Sequence, residues 1–131
     1  GLLAKRLTDI PGSSACFTGG ICAYTKEMKA AILGVSRSVI AEAGVVSKEV
    51  ASQMAEGVRR LTKSDIGVGI TGVAGPGEDA DHNPEGLVYI AVSDCDGTEV
   101  IEMGGRRHGR QRNRLMAAST ALDLVRRRYR L

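Results

Sequence analysis

Tryptophan is absent from these 131 residues and phenylalanine occurs once. Single-stranded nucleic acids are gripped by stacking bases on aromatic side chains, so a stacking platform of that kind is excluded. Three cysteines, Cys16, Cys22 and Cys95, make an odd count with no CxxC spacing. That argues against a disulfide scaffold or structural zinc site and for reduced thiols. No apolar run approaches the roughly 18 residues that cross a bilayer. Neither a signal peptide nor a lipidation motif is recognisable, so a cytoplasmic chain without a membrane partner is expected. HxH and HxxxH spacings are missing too. His82 among Glu78, Asp79 and Asp81 therefore reads as a polar loop, and no metal is expected.

What is present suits a globular protein. With 43% hydrophobic and 25% charged residues, the chain is expected to fold as one domain, residues 1–131, around a single core. The net charge of +3 conceals an imbalance: from Gly105 onward nine arginines face one aspartate, a net +8, and residues 1–104 sum to −5. A basic end of this kind attracts phosphate groups or acidic surfaces, or is the solvated face of a helix.

The most informative stretch is DIGVGITGVAGPG, residues 65–77. Ile66, Val68 and Ile70 alternate with Gly67 and Gly69, the pattern of a strand with one well-packed face. The glycines on the other face imply close approach by a helix, another backbone or a ligand. The strand runs into TGVAGPG, residues 71–77, whose backbone N–H groups suit an anion-binding nest. It is neither a Walker loop nor GxGxxG.

Around this stretch the spacing predicts helices over residues 1–10, 26–33, 37–43, after Ser47, and from about Arg110. The second is capped by Thr25, stopped by Gly34 and expected to bury Met28, Ala31 and Ile32. The fourth is expected to bury Val50, Met54, Val58 and Leu61, and the last Leu115, Ala118, Leu122 and Val125. Strands are expected over residues 15–24, 86–93 and 98–103, the last two joined by an Asp96-Gly97 turn. Helices alternate with strands early and a hairpin comes late, which predicts a three-layer α/β/α domain with a mixed sheet. Tyr24 and Lys29 fall at a strand end and one turn into the next helix. A lysine of lowered pKa is a general base, and a tyrosine hydroxyl relays a proton or orients a carbonyl; a solvent-facing lysine is the plainer alternative. His108, like His82, is a further acid–base candidate.

Several segments occur together in order: PGSSACF (11–17), Tyr24 with Lys29 ahead of LGV, GVVSKEVA (44–51), MAEG (54–57), TGVAGPG (71–77) and PEGLVYIA (84–91). From Gly1 to about Val125 the chain thereby resembles the C-terminal domain of the CinA family, also found as stand-alone nicotinamide-nucleotide amidohydrolases. The resemblance implies hydrolysis of the carboxamide of nicotinamide mononucleotide to nicotinate mononucleotide and ammonia, with no metal or organic cofactor. It implies Lys29 and Tyr24 as the catalytic pair assisting a serine nucleophile. It also implies a substrate pocket built from Gly1, Ser13, Ser14, Thr71, Gly72, Ala74, Gly75, Pro76 and Arg110. Arg110 and Arg114 match the family's arginine-bearing helix start, where His108-Gly109 replaces the usual Gly-Asp.

Gly1 aligns with the last glycine of the family's SCTGG-like motif. The nucleophile is therefore expected ahead of Gly1, and the strand that carries it is expected to be missing, which would leave an unpaired sheet edge. Ser13 and Ser14 are expected to touch substrate or hold their Pro-Gly turn rather than to attack. The implied partner is a small nucleotide substrate; nucleic acid is not expected, and a homo-oligomer is left open. Two further readings compete: a non-catalytic competence or DNA-repair interaction module using the arginine-rich end, and a nucleotide-binding regulator. Salt-sensitive DNA binding would mark the first.

Overall fold

Small residues decide how the layers stack. In the computed structural model, which describes residues 1–105 and 107–130, the alternating stretch forms β1 (Gly67–Gly72). Two more strands, β2 (Val88–Asp94) and β3 (Gly97–Met103), complete a sheet in the order β1-β2-β3. Five helices accompany it: α1 (Leu2–Thr8), α2 (Lys26–Leu33), α3 (Arg37–Ala43), α4 (Lys48–Thr62) and α5 (Arg110–Arg128), with a 3₁₀ turn at Ser13–Ala15. Side chains of a strand alternate between the two faces of its sheet. Val88, Ile90 and Val92 accordingly join Ala117, Ala121 and Leu124 of α5 in one core. Ala91 turns the other way, onto Ala51 and Ala55 of α4.

The register places Gly69 opposite Ala91 and Gly67 opposite Ser93, so these four positions on the α4 side of the sheet carry little side-chain bulk. A Cβ at Gly67 would lie 2.1 Å from the Ala55 carbonyl oxygen, and one at Gly69 would lie 2.4 Å from that of Ala51. Helix backbone thus rests directly on strand backbone, the close approach that the glycine spacing predicts. Gly57 repeats the device between helices, since a Cβ there would lie 2.0 Å from the Leu33 carbonyl oxygen. The result is three layers: α2 and α3 on α4, the sheet, then α5 with α1. Both caps form as expected, Thr25 Oγ1 accepting from Met28 N at 3.2 Å and Ser47 Oγ from Val50 N at 3.3 Å.

The expected mixed sheet is, among the described residues, an antiparallel one. Residues 17–24 form neither helix nor strand and enter no ladder there, and a parallel pairing would have needed them; the remaining strands are joined only by returns that reverse direction. β1 is consequently an edge strand. Two buried faces also differ from expectation. α2 buries Lys29 and Leu33 and leaves Met28 41% and Ile32 38% exposed, with Ala31 exposed as well. The Gly57 notch draws the Leu33 side of α2 inward, and Lys29, one turn earlier, follows it. α5 buries Ala117, Ala118, Ala121 and Leu124, a face offset from the expected one, so Leu115 is exposed. Leu61, at the end of α4, is exposed too.

The far end of α5 is fastened to the hairpin. Arg128 donates to both oxygens of Asp94, at 2.7 and 2.8 Å, and to Glu99 at 3.3 Å, and the Tyr129 hydroxyl donates to Asp94. The Arg128 hydrogen bonds, reinforced by Tyr129, hold the Asp94 carboxyl well below the usual carboxylate range. Of the nine C-terminal arginines, Arg106 lies outside the described residues.

Candidate active site

Lys29 is the chemical centre of this region. It is only 7% exposed, and its Nζ donates to the Ala23 carbonyl at 2.8 Å. Around it lies the cluster of Ala23, Leu33, Val35, Val50 and Met54. Among the described residues no carboxylate pairs with it. Desolvation therefore lowers its pKa from the ordinary 10.5, opposed more weakly by the nearby Cys22 thiol. A partly desolvated amine with a carbonyl fixing its direction is a competent proton acceptor.

Residues 22–24 join two halves of the site. On one side the amino group of Gly1 lies 3.7 Å from Cys22 Sγ, which brings the start of α1 beside the strand-like segment leading to Lys29. On the other, exposed Tyr24 accepts from Arg110 Nη2 at 3.3 Å, while Arg110 Nη1 donates to the Gly75 carbonyl at 2.8 Å. Arg110 thus ties Tyr24 to the glycine-rich loop at Gly75, while Gly1 lies beside Cys22 in the segment that leads to Lys29.

The loop after β1 is tied down by its neighbours. The buried Thr71 hydroxyl donates to the Val45 carbonyl at 2.9 Å. Gly72 is packed against the chain entering β2, its missing Cβ facing Leu87 O at 2.7 Å. Ala74 O accepts from Asn113 Nδ2 at 3.0 Å, and Val73 N donates to Leu87 O at 2.9 Å. The Gly75–Pro76 peptide is cis. Gly77 N donates to Glu85 Oε2 at 2.9 Å, so part of the expected anion nest already holds a carboxylate of the chain itself.

Ser13 and Ser14 sit in the 3₁₀ turn, where Ser13 O accepts from Cys16 and Phe17. Among the described residues no hydrogen bond joins either to Lys29, Tyr24 or Arg110. His108 lines an open hollow of about 280 Å³ with Met103, Asn113 and Met116, a space not lined by Lys29, Tyr24 or Arg110. His82 pairs with Glu78 at 2.8 Å. Sequence reasoning passed over Glu85 and Asn113 as site residues. The available signal was a polar residue at 113, heading the otherwise apolar series 113, 117, 121 and 124 of α5.

A three-layer α/β domain with a desolvated lysine at the head of α2 and a glycine-rich loop after β1 is the class these features define. A family model described as the CinA C-terminal domain matches residues 1–129, and the chain belongs to that family. It is 47% identical over 130 residues to a CinA-like protein of Acidobacterium capsulatum, covering 98% of this chain and 31% of that protein. Against a CinA-like protein of Koribacter versatilis the identity is 48% over 130 residues, with the same coverage of 98% and 31%. The chain therefore spans about a third of the length of these curated relatives. Among solved structures, the competence/damage inducible protein CihA from Agrobacterium tumefaciens superposes with a TM-score of 0.90 at 38% identity, covering 95% of this chain and 76% of that one. The competence damage-inducible protein A (ComA) from Klebsiella pneumoniae gives 0.91 at 26% identity, covering 95% and 77%.

Proposed function

We propose that this domain, within the protein that carries it, hydrolyses the carboxamide of nicotinamide mononucleotide to nicotinate mononucleotide and ammonia. The observation that carries the reading is Lys29, an amine held mostly out of water on the Ala23 carbonyl, near the Cys22 thiol and without a carboxylate partner among the described residues. In this mechanism a serine supplied ahead of Gly1 attacks the carboxamide carbon while neutral Lys29 takes the hydroxyl proton. Backbone N–H groups hold the oxyanion. Lys29 returns its proton to the departing nitrogen, ammonia leaves, and water resolves the acyl-enzyme to the carboxylate product. Arg110 and the loop of residues 72–76 hold the nucleotide, and the Tyr24 hydroxyl orients the amide. Neither metal nor organic cofactor enters these steps. Ammonia release from nicotinamide mononucleotide by the full-length protein, wild type against Lys29→Ala, tests the proposal. Turnover should be nearly abolished in the variant while nucleotide binding stays measurable; retained turnover would remove Lys29 from the chemistry.

One observation favours a second reading. Arg107, Arg112 and Arg114 are exposed and have no carboxylate partner among the described residues, which suits an acidic surface. A full-length protein that binds nucleotide without hydrolysing it, and binds duplex DNA with steep salt dependence, would point to an interaction module instead.

A further inference from the structure

Helix α5 begins in a way that its own sequence does not support. Its N-cap is Gly109, which has no side chain to cap with, and its first turn contains no acid. Arg110, Arg112 and Arg114 instead crowd positive charge at the end of the helix where the backbone dipole is already positive. The missing negative charge comes from elsewhere in the chain. Glu85, 7% exposed and set between Pro84 and Gly86 just ahead of β2, turns its carboxylate onto this point.

Three donors from two segments converge on that carboxylate. Oε1 accepts from Gly109 N at 3.2 Å and from Asn113 Nδ2 at 3.3 Å, and Oε2 accepts from Gly77 N at 2.9 Å. Asn113 Nδ2 also reaches Ala74 O at 3.0 Å, so the same pair of side chains grips both ends of the loop. No lysine or arginine pairs with Glu85 among the described residues. The loop lies directly over it, since a Cβ at Gly75 would come within 2.4 Å of its Cδ. One residue further along α5 from the Gly109 contact, Arg110 makes its bonds to Gly75 O and Tyr24.

We propose that Glu85 is the positioning residue of the nucleotide pocket: it locks the start of α5 to the loop of residues 73–77 and so sets Arg110 over Tyr24. Two consequences follow for ligand recognition. The N–H groups of Gly77 and Gly109 are already occupied by an internal anion, so those two are not open to a ligand phosphate. The phosphate is met instead by guanidinium groups, whose placement Glu85 controls.

The test compares wild-type full-length protein with Glu85→Gln and, should that variant fail to fold, with Asn113→Ala, which removes one donor and leaves the two backbone bonds. Hydrogen exchange over residues 73–78 and 107–113, and the rate of trypsin cleavage after Arg110, read the lock without any ligand. Both should rise in either variant while protection of α4 stays at the wild-type level. The kinetic arm rests on the nucleotide-hydrolase reading. There Glu85→Gln should raise KM for nicotinamide mononucleotide about tenfold, the scale of one hydrogen bond to a charged group, with little change in kcat. That rise should vanish in an Arg110→Ala background, because Glu85 acts through Arg110. Unchanged exchange and cleavage in a folded variant would overturn the proposal, as would a full KM rise added to that of Arg110→Ala. If the wild type releases no ammonia, the hydrolase reading fails while exchange and cleavage still decide the role of Glu85.

Discussion

Gly57→Ala sets two effects of opposite sign against each other at one atom. In a helix interior alanine is favoured over glycine by about 1 kcal/mol, so propensity alone predicts a more stable protein. The structure predicts the reverse. The added methyl carbon would stand 2.0 Å from the Leu33 carbonyl oxygen and 2.8 Å from the carbonyl carbon, both backbone atoms that no rotamer change can move. Relieving the overlap means displacing α2 from α4 by more than 1 Å, at an overpacking cost toward the upper end of about 1–3 kcal/mol or beyond. The net loss should be about 1–2 kcal/mol, a fall of roughly 1 M in the urea midpoint at an unchanged slope. Because Lys29 shares the inward face of α2 with Leu33, the displacement also hydrates its amine and moves its pKa back toward 10.5. If neutral Lys29 is the base, the acidic limb of the kcat/KM profile should then shift to higher pH. A variant that gains about 1 kcal/mol, as propensity dictates, would refute the argument that Gly57 seats α2.

The titrating groups supply two further tests. The folded pKa of Lys29 lies below its unfolded value of 10.5, so between the two the unfolded chain holds more protons and stability rises with pH. Relative to Lys29→Met, wild type should therefore gain stability as pH climbs through that alkaline window; urea titrations showing a constant difference would contradict it. Asp94 is the acidic counterpart, with its folded pKa held below the usual 3.8 by Arg128 and Tyr129. Its contribution is present above about 3.8 and is lost as pH falls through the lower folded value. Asp94→Asn should melt at a lower temperature than wild type at pH 7, with the gap closing under acid; a gap unchanged down to pH 2 would sink the clasp at the end of α5.

Much of the architecture is legible locally because glycine spacing has a steric meaning. Gly67 and Gly69 announce that something lies against β1, and α4 does. Thr25, Ser47 and Gly34 mark helix ends because their short-range bonding and backbone preferences need no tertiary partner. The errors arise where a face is chosen by a distant neighbour. Met28 and Ile32 are as regularly spaced as Lys29 and Leu33, and only the notch at Gly57 selects the second pair. Residues 15–24 have strand composition, but a ladder needs a partner that local sequence does not supply. The site divides in the same way. Tyr24 and Lys29 stand out as candidates from local position alone, whereas Glu85 becomes significant only when residues 77, 109 and 113 converge on it.

The two carboxylates that grip α5 flank the same strand. Glu85 stands just before β2 and takes the start of the helix; Asp94 closes β2 and takes Arg128 at the other end. From Gly109 to Arg128 the helix spans about 28 Å at about 1.5 Å per residue, whereas β2 itself, Val88–Asp94, covers about 20 Å at about 3.3 Å per residue, and Glu85 reaches the helix start from the turn that precedes it. Helix and strand are therefore two rails cross-braced at both ends. A one-residue insertion in either rail would leave one brace out of register, and surface loops should be the only places where this half of the domain tolerates a change in length.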